Sequence, residues 1–460
     1  MNALKSAKPT LYLPIEIKAR EFKSKVLIAV IAAESGFRVY MGTKRSIDRL
    51  VLEATEEKGG IYFYKGGKSI SDLAKIKEKV DSFVVLDEEM GPAVHDLDMY
   101  CRRRIYPGTE SLIDKLFVIG HEHQNKLEQA RPGLAGRVFV TGWPRVDLWR
   151  SEFRGQYSCD GDEIRARYGK FILFSSDFGF LTEGRVLQEI ERFQKISTSD
   201  IDVDNYKRLA WSAYNDFNDF VDFVRRIDTD ERFPPLIIRP HPAEEISEWT
   251  LRLSGLKKVK IIFEGEVGIW LYAAAGLVHR GCTTAVQAHV AGIPSVYLVG
   301  DHSQPKFETL TYKVSRPASS YDELLALCVE MYKGGLSSKE VDVSDRILVD
   351  DDLACTKIVK HLEEINVQPM GAFRINPFLR FFRFAVCYLN EYREMKGWGL
   401  ARDKLAKARR KMLGGIHEAE VLKAIKKLRP DFLGTVIERD FNLVEIDGCW
   451  APVSEEKVAR

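Results

Sequence analysis

Two neighbouring strings decide the fold: Leu236-Ile-Ile-Arg-Pro-His-Pro242 and Leu277-Val-His-Arg-Gly-Cys-Thr-Thr284, the second running on to Gly292-Ile-Pro294 and Ser295-Val-Tyr-Leu298. Each begins as a short apolar run and ends in polar residues. The second continues through a helix-like stretch to Ala291, a Gly-Pro turn and another apolar run. Strand, polar loop, helix, turn and strand, repeated, is the grammar of a parallel α/β sheet. In such sheets ligands sit beyond the carboxyl ends of the strands, where helix N-termini turn free N–H groups outward. Arg239, His241, Thr283 and Thr284 are donors at those strand ends, as a phosphate-bearing ligand requires.

The same grammar extends in both directions. Thr10 to Ile15 reads as a buried strand, Phe22 to Glu34 as an apolar helix, Gly36 as its C-cap and Phe37 to Met41 as the next strand. That βαβ unit leaves Glu16, Lys18, Arg20 and Glu21 at the ligand-facing edge of the first strand, either as a binding edge or as a solvated loop. Further strands are expected at Ile61–Tyr64, Phe83–Leu86, Leu116–Ile119 and Val138–Thr141, giving an N-terminal domain over residues 1–150. Lys65-Gly-Gly-Lys-Ser69 lacks the spacing of a true phosphate loop. Asp87-Glu88-Glu89 at a strand end places three carboxylates side by side. Their repulsion suits one of them for acid or base work, and the first turn of a helix would suit them equally.

Residues 151–167 read as a linker into a second α/β domain, residues 165–368. Its first strand, Phe171–Phe174, ends in Ser175-Ser-Asp-Phe-Gly-Phe180, which puts Asp177 at a strand exit. A long polar and aromatic helical segment follows, broken at 197–204. Neither Asp202-Val-Asp204 in that break nor His121-Glu-His123 has the further ligands of a metal site, and no metal is expected. Prolines flank Arg239 and His241 and restrict their backbone. Glu264 ends a strand at Val259–Phe263, where an acid can accept from a ribose or a base. His279 and Arg280 end the next strand. Gly281 lets the backbone approach a ligand, Thr283 and Thr284 are expected to cap the helix, and Gln287 falls on its first turn.

With 460 residues, 45% apolar and 30% charged, the chain is expected to be globular with two or three domains. The net charge of +2 hides an asymmetry: residues 371–460 hold 18 Lys and Arg against 12 Asp and Glu, so +6, leaving −4 for the rest. Residues 374–429 alone carry 15 basic and 5 acidic side chains, beside the aromatic string Phe378-Leu-Arg-Phe-Phe-Arg-Phe384. The segment 369–460 is therefore expected to be a basic helical extension. It suits an anionic membrane surface, or a helical cap with a solvated basic face, better than nucleic acid. Seven scattered cysteines without a CxxC pair suggest a reduced, cytoplasmic compartment. No apolar h-region precedes Leu11, so no signal peptide is expected, and no apolar run reaches a spanning length.

Two α/β domains with Gly142, Pro144, Arg145 and Asp147 closing the first resemble a GT-B glycosyltransferase, a fold of two Rossmann-like domains facing a cleft. Leu13-Pro-Ile-Glu-Ile-Lys-Ala-Arg-Glu21, Leu86-Asp-Glu-Glu89, Arg239-Pro-His-Pro242 and His279 to Pro294 resemble the bacterial "surface carbohydrate biosynthesis protein" family over about residues 10–365. That family is similar to retaining transferases that use CMP-linked ulosonic acids such as Kdo to build lipopolysaccharide or capsule. The resemblance implies a CMP-sugar donor held by the second domain and no cofactor. It places a glycan or lipid-linked glycan acceptor against the first domain, with Glu16, Lys18 and Arg20 at the acceptor side. It also implies Asp177 as nucleophile and work on the cytoplasmic face of the inner membrane. Glu88 or Glu89 would be the base, and Arg239, His241, Glu264, His279, Arg280, Gly281, Thr283, Thr284 and Gln287 would bind the donor. Two readings stay open beside it: a UDP- or CDP-dependent transferase or epimerase, and a non-catalytic scaffold in polysaccharide assembly.

Overall fold

The computed structural model describes residues 7–53, 59–66, 70–87, 97–105, 107–196, 200–242, 244–300, 309–370, 378, 412, 415–440 and 442–448. The chain divides into two compact units, one of residues 1–90, 96–148 and 344–460, the other of 91–95 and 149–343.

The first unit is built on strands β1 (Thr10–Ile15), β2 (Arg38–Thr43), β3 (Ile61–Tyr64), β4 (Ser82–Leu86), β5 (Lys115–Val118) and β6 (Val138–Val140). Every residue of β1 is buried, as expected of a central parallel strand covered on both faces. The order is β2-β1-β3-β4-β5-β6, all parallel, with Leu11 opposite both Val39 and Ile61. The helix Lys18–Glu34 crosses from β1 to β2 and buries Val26 through Ala33 without a break, so it is covered nearly all round. Part of its cover is the helix Ala354–Glu363, which returns to this unit late in the chain. Asp147 holds that return in place: its buried carboxylate accepts from Ala354 N–H at 3.1 Å and Cys355 N–H at 2.9 Å. The closing acid of the Gly-x-Pro-Arg-x-Asp string is thus a helix N-cap supplied from 207 residues away.

The extension differs from the helical expectation. The helix Glu418–Leu428 does form, with Val421, Ala424, Ile425 and Leu428 buried, and packs on the helix Lys18–Glu34. Two strands then follow, Thr435–Asp440 and Leu443–Asp447, and they add antiparallel to the free edge of β2. Buried Leu443, Val444 and Ile446 supply the apolar content, and Glu445 is buried with a two-pronged bond from Arg439 at 2.8 and 2.9 Å. Charge counting hid this short apolar alternation. The apolar face of Glu418–Leu428 is spent on its own unit. Of the aromatic-basic string only Phe378 is described, and it is exposed; the rest lies outside the described residues. Among the described residues no helix is long and apolar enough to cross a membrane.

The second unit carries β7 (Ile172–Ser175), β8 (Leu236–Arg239), β9 (Lys260–Ile261), β10 (Leu277–His279), β11 (Ser295–Leu298) and β12 (Arg316–Ala318). Their order is β12-β11-β10-β7-β8-β9, all parallel. Counted within the unit this is 6-5-4-1-2-3, the doubly wound Rossmann order, and it reverses between β7 and β10. The stretch read as a linker is instead helical, with Ser158–Tyr168 packed on the helix Val267–Ala273 of this unit. The long segment after β7 is two helices, Glu183–Ile196 and Asp200–Thr229, so the expected break is narrower and Asp204 sits on a helix, beside Lys207. From Phe217 onward the second of these helices packs on the sheet core with Phe174, Phe178 and Trp249. Two Rossmann-like α/β units in one chain are the composition expected of the GT-B class.

Candidate functional site

The reversal of strand order in the second unit brings three loops to one place. Register puts His279 opposite Ser175, and Ser175 opposite Arg239, so the exits of β7, β8 and β10 are adjacent. In doubly wound sheets such a reversal is where the crossover helices leave to opposite faces and ligands bind beyond the carboxyl edge. The loops touch directly. Ser175 Oγ lies 3.2 Å from Cys282 Sγ, and His241 N–H donates to Ser176 Oγ at 2.8 Å.

Glu244, which no motif singled out, is the hub. Its carboxylate is 2% exposed and accepts from the Ser176 hydroxyl, Phe178 N–H at 2.8 Å, Gly179 N–H at 3.4 Å, His241 N–H at 3.1 Å and Trp249 Nε1–H at 3.0 Å. Burial pushes its pKa above the usual carboxylate range, the Ser176 and His241 bonds pull it back, and the Asp177 charge adds to the rise. Asp177 itself is exposed, between buried Ser176 and Phe178. The only available sequence signal for Glu244 is its place three residues after His241, which does not separate it from the exposed Glu245.

Several expected donors face elsewhere. Arg239 gives Nη1 to the Glu264 carbonyl at 2.5 Å and Nη2 to the Gly265 carbonyl at 2.9 Å, with its guanidinium 5.2 Å from the Trp270 ring centre. Burial lowers its pKa to about 10. A cation so enclosed, with both terminal nitrogens spent on backbone, fixes the loop after β9 and does not open its fork to a phosphate. His279 is fully buried: Gly281 N–H donates to its Nδ1 at 3.1 Å, which leaves Nε2–H for Ser315 Oγ at 2.8 Å. Burial drops its pKa to about 3, so it stays neutral within the core. Arg280 pairs with Asp216 at 2.8 Å and lies over Phe178 at 5.4 Å, tying the β10 exit to the helix Asp200–Thr229. A Cβ at Gly300 would fall 1.6 Å from Arg280 Nη2 and 2.5 Å from Asp216 Oδ1, so a side chain there would have to displace this pair. The Glu264 side chain is exposed and reaches Arg167 at 3.3 Å.

The loop after β10 keeps a shape a ligand can use. Gly281 sits at φ +131°, where a side chain would be strained. Thr283 precedes the helix Thr284–Val290 and is half-buried, but its hydroxyl makes no capping bond, contrary to the capping expectation, because the residue is already in helical geometry. Thr284 Oγ1 turns to Cys282 Sγ at 3.2 Å. Gln287 is buried, accepts from Trp149 Nε1–H at 3.1 Å through Oε1, and among the described residues retains a buried Nε2 without a hydrogen-bond partner.

In the first unit the expected edge residues are largely engaged with one another. Glu21 and Lys65 form a buried pair at 2.7 Å, and Glu21 also accepts from Glu16 N–H at 2.9 Å. Lys18 pairs with Glu420 at 2.6 Å, and Arg20 lies on the first turn of the helix Lys18–Glu34. Asp87 is buried and accepts from Arg104 Nε–H at 2.9 Å and the Tyr100 hydroxyl at 2.5 Å, so it is matched to a cation and not left to repel its neighbours. Glu88 and Glu89 lie outside the described residues.

No family model matches the sequence, and no curated protein matches it. Solved structures similar to it include three with a UDP ligand. The Methanocaldococcus jannaschii UDP-GlcNAc 2-epimerase, with UDP-GlcNAc and UDP, is 15% identical, covers 77% of this chain and 99% of its own, and has a TM-score of 0.47. The S. aureus MnaA–UDP structure is 10% identical over 80% of this chain and 100% of its own, at a TM-score of 0.44. Anabaena HepE with UDP is 12% identical over 77% and 95%, at 0.37. Likenesses this remote carry no substrate or activity across.

Proposed function

We propose that the second unit binds a nucleotide-linked sugar at the crevice where its strand order reverses, and that the chain is a glycosyltransferase. The observation that carries this reading is the convergence of Asp177, His241 and the Gly281–Thr284 loop on adjacent strand exits. The donor is a CMP-linked ulosonic acid, and the acceptor a glycan or lipid-linked glycan of a surface polysaccharide.

In this mechanism Asp177 attacks the anomeric carbon as the bond to the CMP phosphate breaks, giving a covalent glycosyl-enzyme and free CMP. A general base takes the proton from the acceptor hydroxyl, which then displaces Asp177 with net retention. His241 and the backbone and hydroxyls of Gly281, Thr283 and Thr284 receive the departing phosphate. Gln287 Nε2, a buried donor without a partner among the described residues, is offered to an acceptor atom of the donor molecule. Glu264 accepts from the cytidine. Arg239, His279 and Arg280 act one layer back: through the Glu264 and Gly265 carbonyls, the Gly281 turn and the β10 exit, they hold the residues that touch the ligand.

The test is CMP release from a panel of CMP-ulosonic acids, with UDP- and CDP-sugars as controls. Release from one CMP-sugar is the expected result. Turnover of a UDP- or CDP-sugar alone would replace the donor and keep the site. Absence of binding to every nucleotide would leave the scaffold reading.

A further inference from the structure

We infer that Glu244 is a positioning residue of this site, an internal anion that holds the Asp177 loop and the His241 loop in a single arrangement. The inference rests on the nucleotide-sugar reading for its consequence in catalysis, but not for its structural content.

The loop after β7 and the loop after β8 share no strand pairing beyond Ser175 and Arg239, apart from Ser176 N–H to the Arg239 carbonyl at 3.1 Å. Past that point both chains turn away from the sheet, and their backbone N–H groups need acceptors. Glu244 supplies them, sharing His241 N–H with the Ser176 hydroxyl at 2.8 Å. Its Oε2 takes the Ser176 hydroxyl, His241 N–H and Trp249 Nε1–H; its Oε1 takes Phe178 N–H and Gly179 N–H. All five are donors, and a carboxylate offers about four lone-pair directions, so the group is saturated as an ionised acceptor. Residues on both sides of Asp177 are therefore pinned to the carboxylate that also pins His241, while Asp177 projects from the pinned loop.

This arrangement has the form of a backbone nest already filled by an anion of the protein's own. Three N–H groups that could have cradled a ligand phosphate are consumed by Glu244, which leaves phosphate binding to the Gly281–Thr284 side. Replacing the carboxylate by an amide keeps the shape but presents an NH2 group to a ring of donors. Shortening it to aspartate keeps the charge and loses about a methylene of reach.

The experiment compares Glu244→Gln, Glu244→Asp and Ser176→Ala with the wild type by amide hydrogen exchange and by donor cleavage. In Glu244→Gln the amides of Phe178, Gly179 and His241 should exchange at least ~10-fold faster, while β7 and β8 keep their protection. Donor cleavage should then fall about 100-fold in kcat, the scale of an ångström's misplacement, with nucleotide affinity changed less than about threefold. Glu244→Asp should recover part of both effects, and Ser176→Ala should loosen the amides of Phe178 and His241 to an intermediate degree. Unchanged exchange at these three amides in Glu244→Gln would overturn the inference. So would protection lost throughout the unit in Glu244→Gln, together with wild-type exchange in Ser176→Ala. Should the wild type cleave no nucleotide-sugar, the functional reading fails, and the exchange arm still decides whether Glu244 holds the two loops.

Discussion

At the carboxyl edge of the first sheet, Lys65 closes on Glu21, Arg104 on Asp87, and Lys44 Nζ on Asp48 with Tyr62 alongside. At the carboxyl edge of the second sheet Arg280 closes on Asp216, but the buried Glu244 carboxylate gathers backbone, hydroxyl and indole donors, Asp177 stands exposed, and among the described residues a buried Gln287 nitrogen has no hydrogen-bond partner. The two sheets share the parallel α/β plan and differ in how their polar groups are spent. Pairing charges with one another stabilises a strand exit but leaves little to offer a ligand. Fixing backbone donors around an internal anion leaves the neighbouring loop free to bind. The second unit is therefore the better candidate for the donor site, even though the strand exits of the first also carry charged residues.

The comparison can be broken most decisively at Asp177. Asp177→Asn should reduce turnover by at least about 1000-fold, because the nucleophile is lost, while CMP affinity stays within about threefold. Single-turnover release of CMP and calorimetric binding measure the two quantities, and near-wild-type turnover would remove Asp177 from the mechanism. The first edge should respond in stability instead. Lys65→Met strands the buried Glu21 carboxylate and should cost about 3–5 kcal/mol in urea unfolding, with nucleotide affinity unchanged. A loss of binding without a loss of stability would place a ligand at the first edge. Gly300→Ala lies between these extremes: its Cβ must displace Arg280 or Asp216, so a loss of about 1–3 kcal/mol and weaker nucleotide binding are expected together.

A smaller effect separates the Asp147 cap from the site. Asp147→Ala should lower stability by about 1–2 kcal/mol through the helix Ala354–Glu363 and leave donor cleavage per folded molecule unchanged. The smallest is an acid limb. His279 and His123 are buried with pKa values dropped to about 3, so each is neutral in the folded chain and binds a proton on unfolding below about pH 6.5. The unfolded state then holds more protons, and stability must fall as pH drops from about 6.5 toward 3. His123→Phe should flatten part of that limb, by about 1–2 kcal/mol between pH 7 and pH 5, when urea midpoints are compared at the two pH values.

Much of the layout was legible. Thr10–Ile15 and Ile61–Tyr64 are strands at the bounds the apolar runs suggested, because a strand buried on both faces has little latitude in composition. The exits at Ser175–Phe180, Arg239–Pro242 and His279–Thr284 do lie together, since strand order follows from successive right-handed crossovers. Side-chain aim was not legible. Arg239 looked like a phosphate fork and is bound to carbonyls 25 and 26 residues away. His279 looked like a ligand donor and is a core residue held between Gly281 and Ser315. The extension read as basic helix because its charge is counted easily and its ten or so strand residues are not.

The sequence by itself determined the two α/β units, the polar strand exits and the residue types available there. Those depend on local composition: apolar runs seek the sheet interior, and Gly, Pro and short polar residues end them. Only the tertiary structure decided which donors remain available. That depends on which distant carbonyl, carboxylate or ring each side chain meets first, and a buried polar group takes the partner the packing brings to it. Glu244 and Glu245 are adjacent and chemically identical, yet one lies at the centre of five donors and the other in solvent, because only one of them faces the gap between two departing loops.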